Sequence, residues 1–305
     1  MGIVATVSIQ YSAEVSAALS SGSPIVALES TIISHGLPRP SNLVVAQEVE
    51  EIVLAHGATP ATIAILNGIV HIGLEKDQLS EIANRDDISK ASIRDLAIVS
   101  ALGLSAATTV AATSHIASLA GIKVFATGGL GGVHRGAQDS FDESADLGAL
   151  GKLDIAIVCA GVKSILDVGA TLERLESLSI GLVGYQTHAF PGFYLTDSGF
   201  TLEHRVESAS EIAAIIKARR ELKTDSTSLI VANPVKEEMD RSRHDAILAS
   251  GLAGARAQGI TGKAVTPFLL EHFHTASQGE SLTVNIEIIK SNSALAADIA
   301  VALTK

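Results

Sequence analysis

The sequence predicts an α/β protein, a three-layer α/β/α sandwich around a mixed, mostly parallel sheet. Three observations carry this. Short unbroken apolar runs such as Ile155 to Ala160 read as strands covered on both faces. They alternate with longer segments of helical periodicity, the order that builds parallel sheets. The apolar content, 47% of 305 residues, comes from Ala, Val, Ile and Leu, with 3% aromatic residues and no Trp, as suits a sheet wrapped in helices. The length exceeds the usual range for one domain. No linker, low-complexity tract or internal repeat divides it, so one domain over residues 1–305 is expected.

Taken in order, Ser12 to Leu19 is a short amphipathic segment, and Ile25 to Leu28 is a buried strand ending at Glu29. Pro38 and Pro40 delay a helix that Ser41 opens and that runs to about His56. Ala61 to Leu66 and Ile69 to Ile72 pair around Asn67 and Gly68, a hairpin signal that adds antiparallel character. Leu79 to Asn84 is a short helix, Ile88 to Asp95 a polar crossing, and Leu96 to Ser100 a further strand. Ala106 to Ala120 reads as a buried helix with Thr108 and Thr109 near its start. Ile122 to Ala126 is a strand running into a glycine-rich stretch. After Ile155 to Ala160, Gly161 breaks the run, and Ser164 with Asp167 reads as the start of a helix reaching about Leu178. A strand over Ile180 to Tyr185, an aromatic-rich loop over Gln186 to Phe193 and a helix over Ser208 to Leu222 follow. A strand over Leu229 to Ala232 precedes helices over Val235 to Gln258, Thr266 to Ala276 and Ser281 to Thr304.

Charge and composition exclude several roles. A net charge of −11 argues against a polyanion-binding surface, so nucleic acid is not an expected partner. No stretch reads as a signal peptide, and no apolar run approaches the ~18 residues of a membrane span. Cys159, the single cysteine, lies in the central strand and can form no intrachain disulfide, which fits a reducing cytoplasm.

The chemistry gathers at strand ends. Lys163 is expected at the carboxyl edge of the sheet, where open α/β sheets bind ligands. A helix N-terminus and partial burial there both favour a neutral amine, able to attack carbonyl-like carbon and form a Schiff base. A solvated helix-start lysine is the plainer alternative. Glu29, beside Ser30, Thr31 and His35, suits a general acid or base, or a strand-end cap. Lys90 and Arg94 are candidate phosphate contacts or solvated cations. Five glycines between Thr127 and Gly136 let a backbone approach a ligand and turn N–H groups toward an anion, though neither a Walker loop nor a dinucleotide fingerprint is present. His134 and Arg135 add polar groups to this loop. Asp139, Asp142, Glu143 and Asp146 concentrate oxygen ligands suited to Mn2+ or Mg2+, or form an acidic solvated loop. If that stretch is helical, Asp142 and Asp146 share a face. Asn285 is the odd polar residue near the start of the last helix.

Several stretches, in order across nearly the whole chain, carry a resemblance. They are V-A-L-E-S-T-I-I-S-H-G from Val26, P-A-T-I-A-I from Pro60, G-I-K-V-F-A-T-G-G-L-G-G-V-H-R-G from Gly121 and S-A-D-L from Ser144. C-A-G-V-K-S-I-L-D from Cys159, G-Y-Q-T from Gly184, V-A-N-P from Val231 and G-K-A-V-T-P-F-L-L from Gly262 continue the series. Together they resemble the pseudouridine-5'-phosphate glycosidases, grouped with indigoidine synthase A. The resemblance implies an α/β/α homotrimer, one Mn2+ per subunit, and a lyase that reversibly cleaves pseudouridine 5'-phosphate to uracil and ribose 5-phosphate. It implies that Lys163 is the Schiff-base nucleophile, Glu29 the proton donor and Asp142 the metal ligand. Lys90, Val110, Ser144, Ala145 and Asp146 would bind substrate, with Thr127, His134 and Asn285 as further contacts. Some relatives carry a fused kinase, for which 305 residues leave no room. Two alternatives stand beside this reading. One is a relative in an indigoidine pathway acting on a related phosphorylated adduct; the other is a nonenzymatic sugar-phosphate sensor, which would not need Lys163, Glu29 and Asp142 together.

Overall fold

A computed structural model describes residues 8–260 and 265–305. Gly262, Lys263 and Ala264 of the last motif therefore lie outside the described residues. Eleven strands form one sheet: β1 Ile9–Tyr11, β2 Ile25–Glu29, β3 Thr59–Leu66, β4 Ile69–Ile72, β5 Ser89–Ala91, β6 Ala106–Thr108, β7 Val124–Ala126, β8 Ala156–Cys159, β9 Gly181–Tyr185, β10 Arg205–Val206 and β11 Leu229–Ala232. Their order is β1-β4-β3-β2-β7-β8-β11-β9-β10, with β6 pairing β3 and β5 to one side. Among the described residues, only β3 with β4 and β3 with β6 run antiparallel.

Alternation along the strands sorts the apolar runs into two cores. Ile155, Ile157 and Cys159 join Ile25, Ala27 and Ile230 on one face, under Val15, Ile116, Leu147 and Leu175. Ala156 and Val158 join Val26, Leu28 and Val231 on the other, under Val49, Ile212, Ile289 and Leu295. A strand flanked this way has no polar face, which is why its sequence shows none. The result is the expected three-layer sandwich. A third cluster, built on Phe190, Phe193, Tyr194, Leu269 and Phe273, caps one end, with the Tyr194 and Phe273 rings 5.3 Å apart.

Several element assignments need correction. Leu96 to Ser100 is not a strand but part of helix Leu96–Ala101. Its apolar run is one-sided, with Val99 buried and Ile98 57% exposed. Ala106 to Thr108 is a strand, not helix, paired with Ala64 and Ile65. Thr109 then caps a helix that begins at Val110, its Oγ1 accepting from Ala112 N at 3.4 Å. Within the polar crossing, Lys90 sits on β5 opposite Ala107 of β6. The helix after Lys163 begins at Val168, capped by Asp167, whose Oδ1 accepts from Ala170 N at 3.0 Å. Asp167 is thus the cap, not the capping partner of Ser164. The helix expected from Val235 begins only at Arg241, where Asp240 caps it. The short edge strands β1 and β10 and the π-helical turn Ile32–Gly36 carry no clear periodicity.

Candidate active site

Parallel neighbours end at one edge, so the register brings their last residues together. Leu28 lies beside Ala126, Ala126 beside Val158, and Cys159 beside Ala232. One residue on come Glu29, Thr127, Ala160 and Asn233. Around Glu29 a set of hydroxyls ties the strand ends together. Ser30 Oγ donates to Ile63 O at 2.7 Å, and Thr31 Oγ1 donates to Thr108 O at 2.7 Å. This fixes the end of β2 against β6 and hence against the start of helix Val110–Leu119.

The glycine-rich stretch continues the pairing of β7 with β8 beyond both strands. Ala160 N donates to Gly128 O, Leu130 N to Gly161 O, and Lys163 N to Leu130 O, at 2.9, 2.9 and 3.1 Å. Glycine is needed at 161, where φ is +77° and a Cβ would lie 2.2 Å from Pro191 O. At 131 a Cβ would lie 2.2 Å from Ser144 Oγ. That closeness lets Gly131 N donate to Asp146 Oδ2 at 2.9 Å, while Ala111 N donates to Asp146 Oδ1 at 3.0 Å. Asp146 is thereby a buried brace between the loop and the helix at Val110. The N–H groups of Thr127, Leu130, Gly131, Val133 and His134 all go to protein acceptors. Those five donors are therefore not presented to an anion.

Lys163 is half-buried in the segment that this pairing holds. The helix start stands five residues further on, at Val168, so the helix dipole does not act on the Lys163 amine as expected, because its effect fades within one turn. Glu29 is 8% exposed. Burial pushes its carboxyl above the usual range. The Lys163 charge and the hydrogen bond donated by Thr127 Oγ1 pull it back, Asp146 raises it and Lys90 lowers it. The net rise means that Glu29 keeps its proton to higher pH than a free glutamate. His35 is held below the ordinary imidazole range, by burial first and then by Lys90, so it favours the neutral ring.

Glu29, Thr31, Lys90, Lys163 and Thr266 form a wall shared by two lobes of a cleft, of about 400 and 440 Å3, large enough for a small ligand. One lobe is largely apolar, lined by Ile32, Gly128, Gly129, Phe193 and Leu270, with His35 and Asn285 as its polar groups. The other is polar, lined by Ser92, Arg94, Val110, His134, Asp142, Ser144, Ala145 and Asp146. Glu29, Lys90, Val110, His134, Asp142, Ser144, Ala145, Asp146, Lys163 and Asn285 all line one lobe or the other, whereas Thr127 is buried behind Glu29 and Arg135 and Asp139 are exposed outside both. Ile32, Thr31 and Ser92 were not singled out. Their types are common and only the fold places them here.

The four acidic residues do not act as one cluster. Asp139 is exposed on a short helix, Glu143 pairs with Arg174 at 2.9 Å, and Asp146 is the brace. Asp142 lies outside the helix that holds Asp146, so the two share no helix face. It remains in the polar lobe with His134 Nδ1 3.9 Å from its Oδ2. Among the described residues no three His, Cys, Asp or Glu side chains gather as a metal cluster. Nor is any helix among them long and apolar enough to cross a membrane.

The family described as indigoidine synthase A like protein matches residues 14–302. A pseudouridine-5'-phosphate glycosidase of Salinispora tropica is 57% identical, covering 98% of this chain and 93% of its own length. One from Caldanaerobacter subterraneus subsp. tengcongensis is 48% identical, covering 97% of both chains. The crystal structure of an indigoidine synthase A-like protein from Thermotoga maritima superposes with a TM-score of 0.89 at 36% identity, over 98% of this chain and 97% of the other. The prealnumycin C-glycosynthase AlnA, solved in complex with ribulose 5-phosphate, superposes at 0.90 and 32% identity over 97% of both.

Proposed function

This chain belongs to the indigoidine synthase A-like family, and from that premise we propose that it is a pseudouridine-5'-phosphate glycosidase, reversibly cleaving the carbon–carbon glycosidic bond to give uracil and ribose 5-phosphate. The observation that carries this reading is the shared wall: the half-buried Lys163 and Lys90 and the buried Glu29 carboxyl stand between an apolar and a polar lobe. The aglycone ring suits the apolar lobe beside Phe193 and Asn285, and a phosphate suits the lobe of Lys90 and Arg94. The C-glycosynthase relative was solved with a pentose phosphate, which supports a sugar phosphate in the corresponding cleft here.

The chemistry needs both groups because uracil C5 is a poor leaving atom. The Lys163 amine adds to C1' as the C1'–O4' bond opens and O4' takes a proton. Glu29 then protonates C5. The C1'–C5 pair goes to uracil while the lysine nitrogen pair forms the C1'=N iminium, which water hydrolyses to ribose 5-phosphate. Turnover of pseudouridine 5'-phosphate with none of uridine 5'-phosphate is the expected result of a uracil-release assay; the reverse preference would contradict the assignment.

Lys90 is assigned to the phosphate. Lys90→Ala should lower kcat/KM for pseudouridine 5'-phosphate by on the order of a hundredfold, while barely changing the slow cleavage of unphosphorylated pseudouridine. Equal losses on both substrates would place Lys90 at the sugar or base instead.

Mn2+ is the proposed cofactor, one per subunit, held by Asp142 with His134 close by. A single carboxylate fits a hard ion whose other ligands are water and substrate oxygens, and the chemistry it supplies is polarisation of an oxygen. Titration of Mn2+ followed by electron paramagnetic resonance should show one site in the wild type and none in Asp142→Ala. Unchanged binding would move the ion elsewhere. The expected assembly is a homotrimer, three copies of 31.4 kDa, measurable by sedimentation equilibrium.

A further inference from the structure

Asn292 lies mid-way along the last helix, Glu280–Leu303, 1% exposed among Ile288, Ile289, Leu295 and Ala296. Its Nδ2 donates to Thr127 O at 2.7 Å and lies 3.4 Å from Gly128 O, and its Oδ1 accepts from Asn233 Nδ2 at 2.9 Å. Asn233 N in turn donates to Cys159 O at 2.8 Å. One amide therefore joins the helix to the ends of β7 and β11 and, through Asn233, to β8. A buried, fully used polar group on a mostly apolar face fixes register where apolar packing alone would tolerate sliding.

Two reacting-site groups depend on that register. Thr127 is held at its N–H by Val158 O, at 3.0 Å, and at its carbonyl by Asn292. With both ends of the residue fixed, its Oγ1 is aimed at Glu29, to which it donates. Asn285 stands seven residues before Asn292, about 10.5 Å along the axis and on the same face, and it reaches the apolar lobe.

We propose that Asn292 is a positioning residue, which sets Thr127 against Glu29 and sets the helix register that delivers Asn285 to the apolar lobe. The inference rests on the reading of Glu29 as proton donor. The charges facing Glu29 are Lys163 from the loop after β8, Asp146 from helix Ala145–Leu150 and Lys90 from β5. These sit on other elements, so the route from Asn292 to Glu29 runs through Thr127.

The test uses Asn292→Leu, close in volume and without a donor, beside Thr127→Val and the double variant. The Glu29 carboxyl is titrated in the free protein by infrared difference against Glu29→Gln, and kcat and KM are measured for pseudouridine 5'-phosphate. Thr127→Val removes a donor to the carboxylate and should shift the titration to higher pH. Asn292→Leu should shift it in the same direction, with the double variant shifting no further than Thr127→Val alone. It should also lower kcat about tenfold to a hundredfold through Glu29 and raise KM through the displaced Asn285. A folded Asn292→Leu with the wild-type titration, or an additive double variant, overturns the proposal, since a merely structural role would lower the melting temperature alone. If Asn292→Leu does not fold, Asn292→Ser carries the same readouts. Should the wild type fail to cleave pseudouridine 5'-phosphate, the functional reading falls, and the infrared titration still decides the role of Asn292.

Discussion

Lys163→Ala should abolish uracil release, a loss of about ten-thousand-fold or more in kcat, while leaving the fold intact. The size follows from the role: without the amine there is no covalent carrier for C1' and no nitrogen pair to take the place of the breaking carbon–carbon bond. The fold should survive because the segment is held by its backbone, through Lys163 N on Leu130 O and Leu130 N on Gly161 O, neither of which needs the side chain. Circular dichroism melting near that of the wild type is the control. A variant that keeps a tenth of wild-type kcat would remove Lys163 from the covalent step, and would leave Glu29 and the phosphate lobe to explain catalysis on their own.

Glu29→Gln should lower kcat by roughly a hundredfold to ten-thousand-fold, the range of a lost general acid, with KM changed far less. The same substitution should make the protein more stable at alkaline pH. Glu29 has its folded-state pKa raised by burial, so the folded chain binds this proton more tightly than the unfolded chain does. Its contribution to stability is therefore fully present below the ordinary glutamate range and is lost as pH rises through the raised folded value. Glutamine has no proton to lose. At pH 8 the variant should melt above the wild type, and at pH 4 the two should converge. Activity loss together with a lower melting temperature at every pH would indicate a structural carboxyl instead.

How far the sequence could be read depended on the range of each interaction. The strands at Ile25, Ala156 and Leu229 were legible because burial on two faces leaves an unbroken apolar run. Leu96 to Ser100 misled for the same reason, since a short apolar run has no period to separate strand from helix. Lys163 was legible as a strand-end lysine but its helix start was not, because Ser164 and Asp167 are both acceptable caps and only Asp167 is used. The acidic run looked like one cluster, whereas tertiary partners Arg174 and Ala111 take up Glu143 and Asp146 and leave Asp142 in the polar lobe. Asn292 gave no signal at all. Its partners lie 59 and 165 residues away in sequence, and an asparagine on a helix is ordinarily a surface residue.

The measurement that bears most directly on the central claim is reductive trapping. Borohydride added during turnover of pseudouridine 5'-phosphate, or to ribose 5-phosphate with uracil, should reduce the iminium to a stable amine and stop the enzyme. Peptide mass spectrometry should then find one pentose phosphate on the peptide that contains Lys163, with none in Lys163→Ala. An adduct on any other lysine, or full turnover that borohydride neither traps nor inhibits, would contradict the mechanism derived from this site.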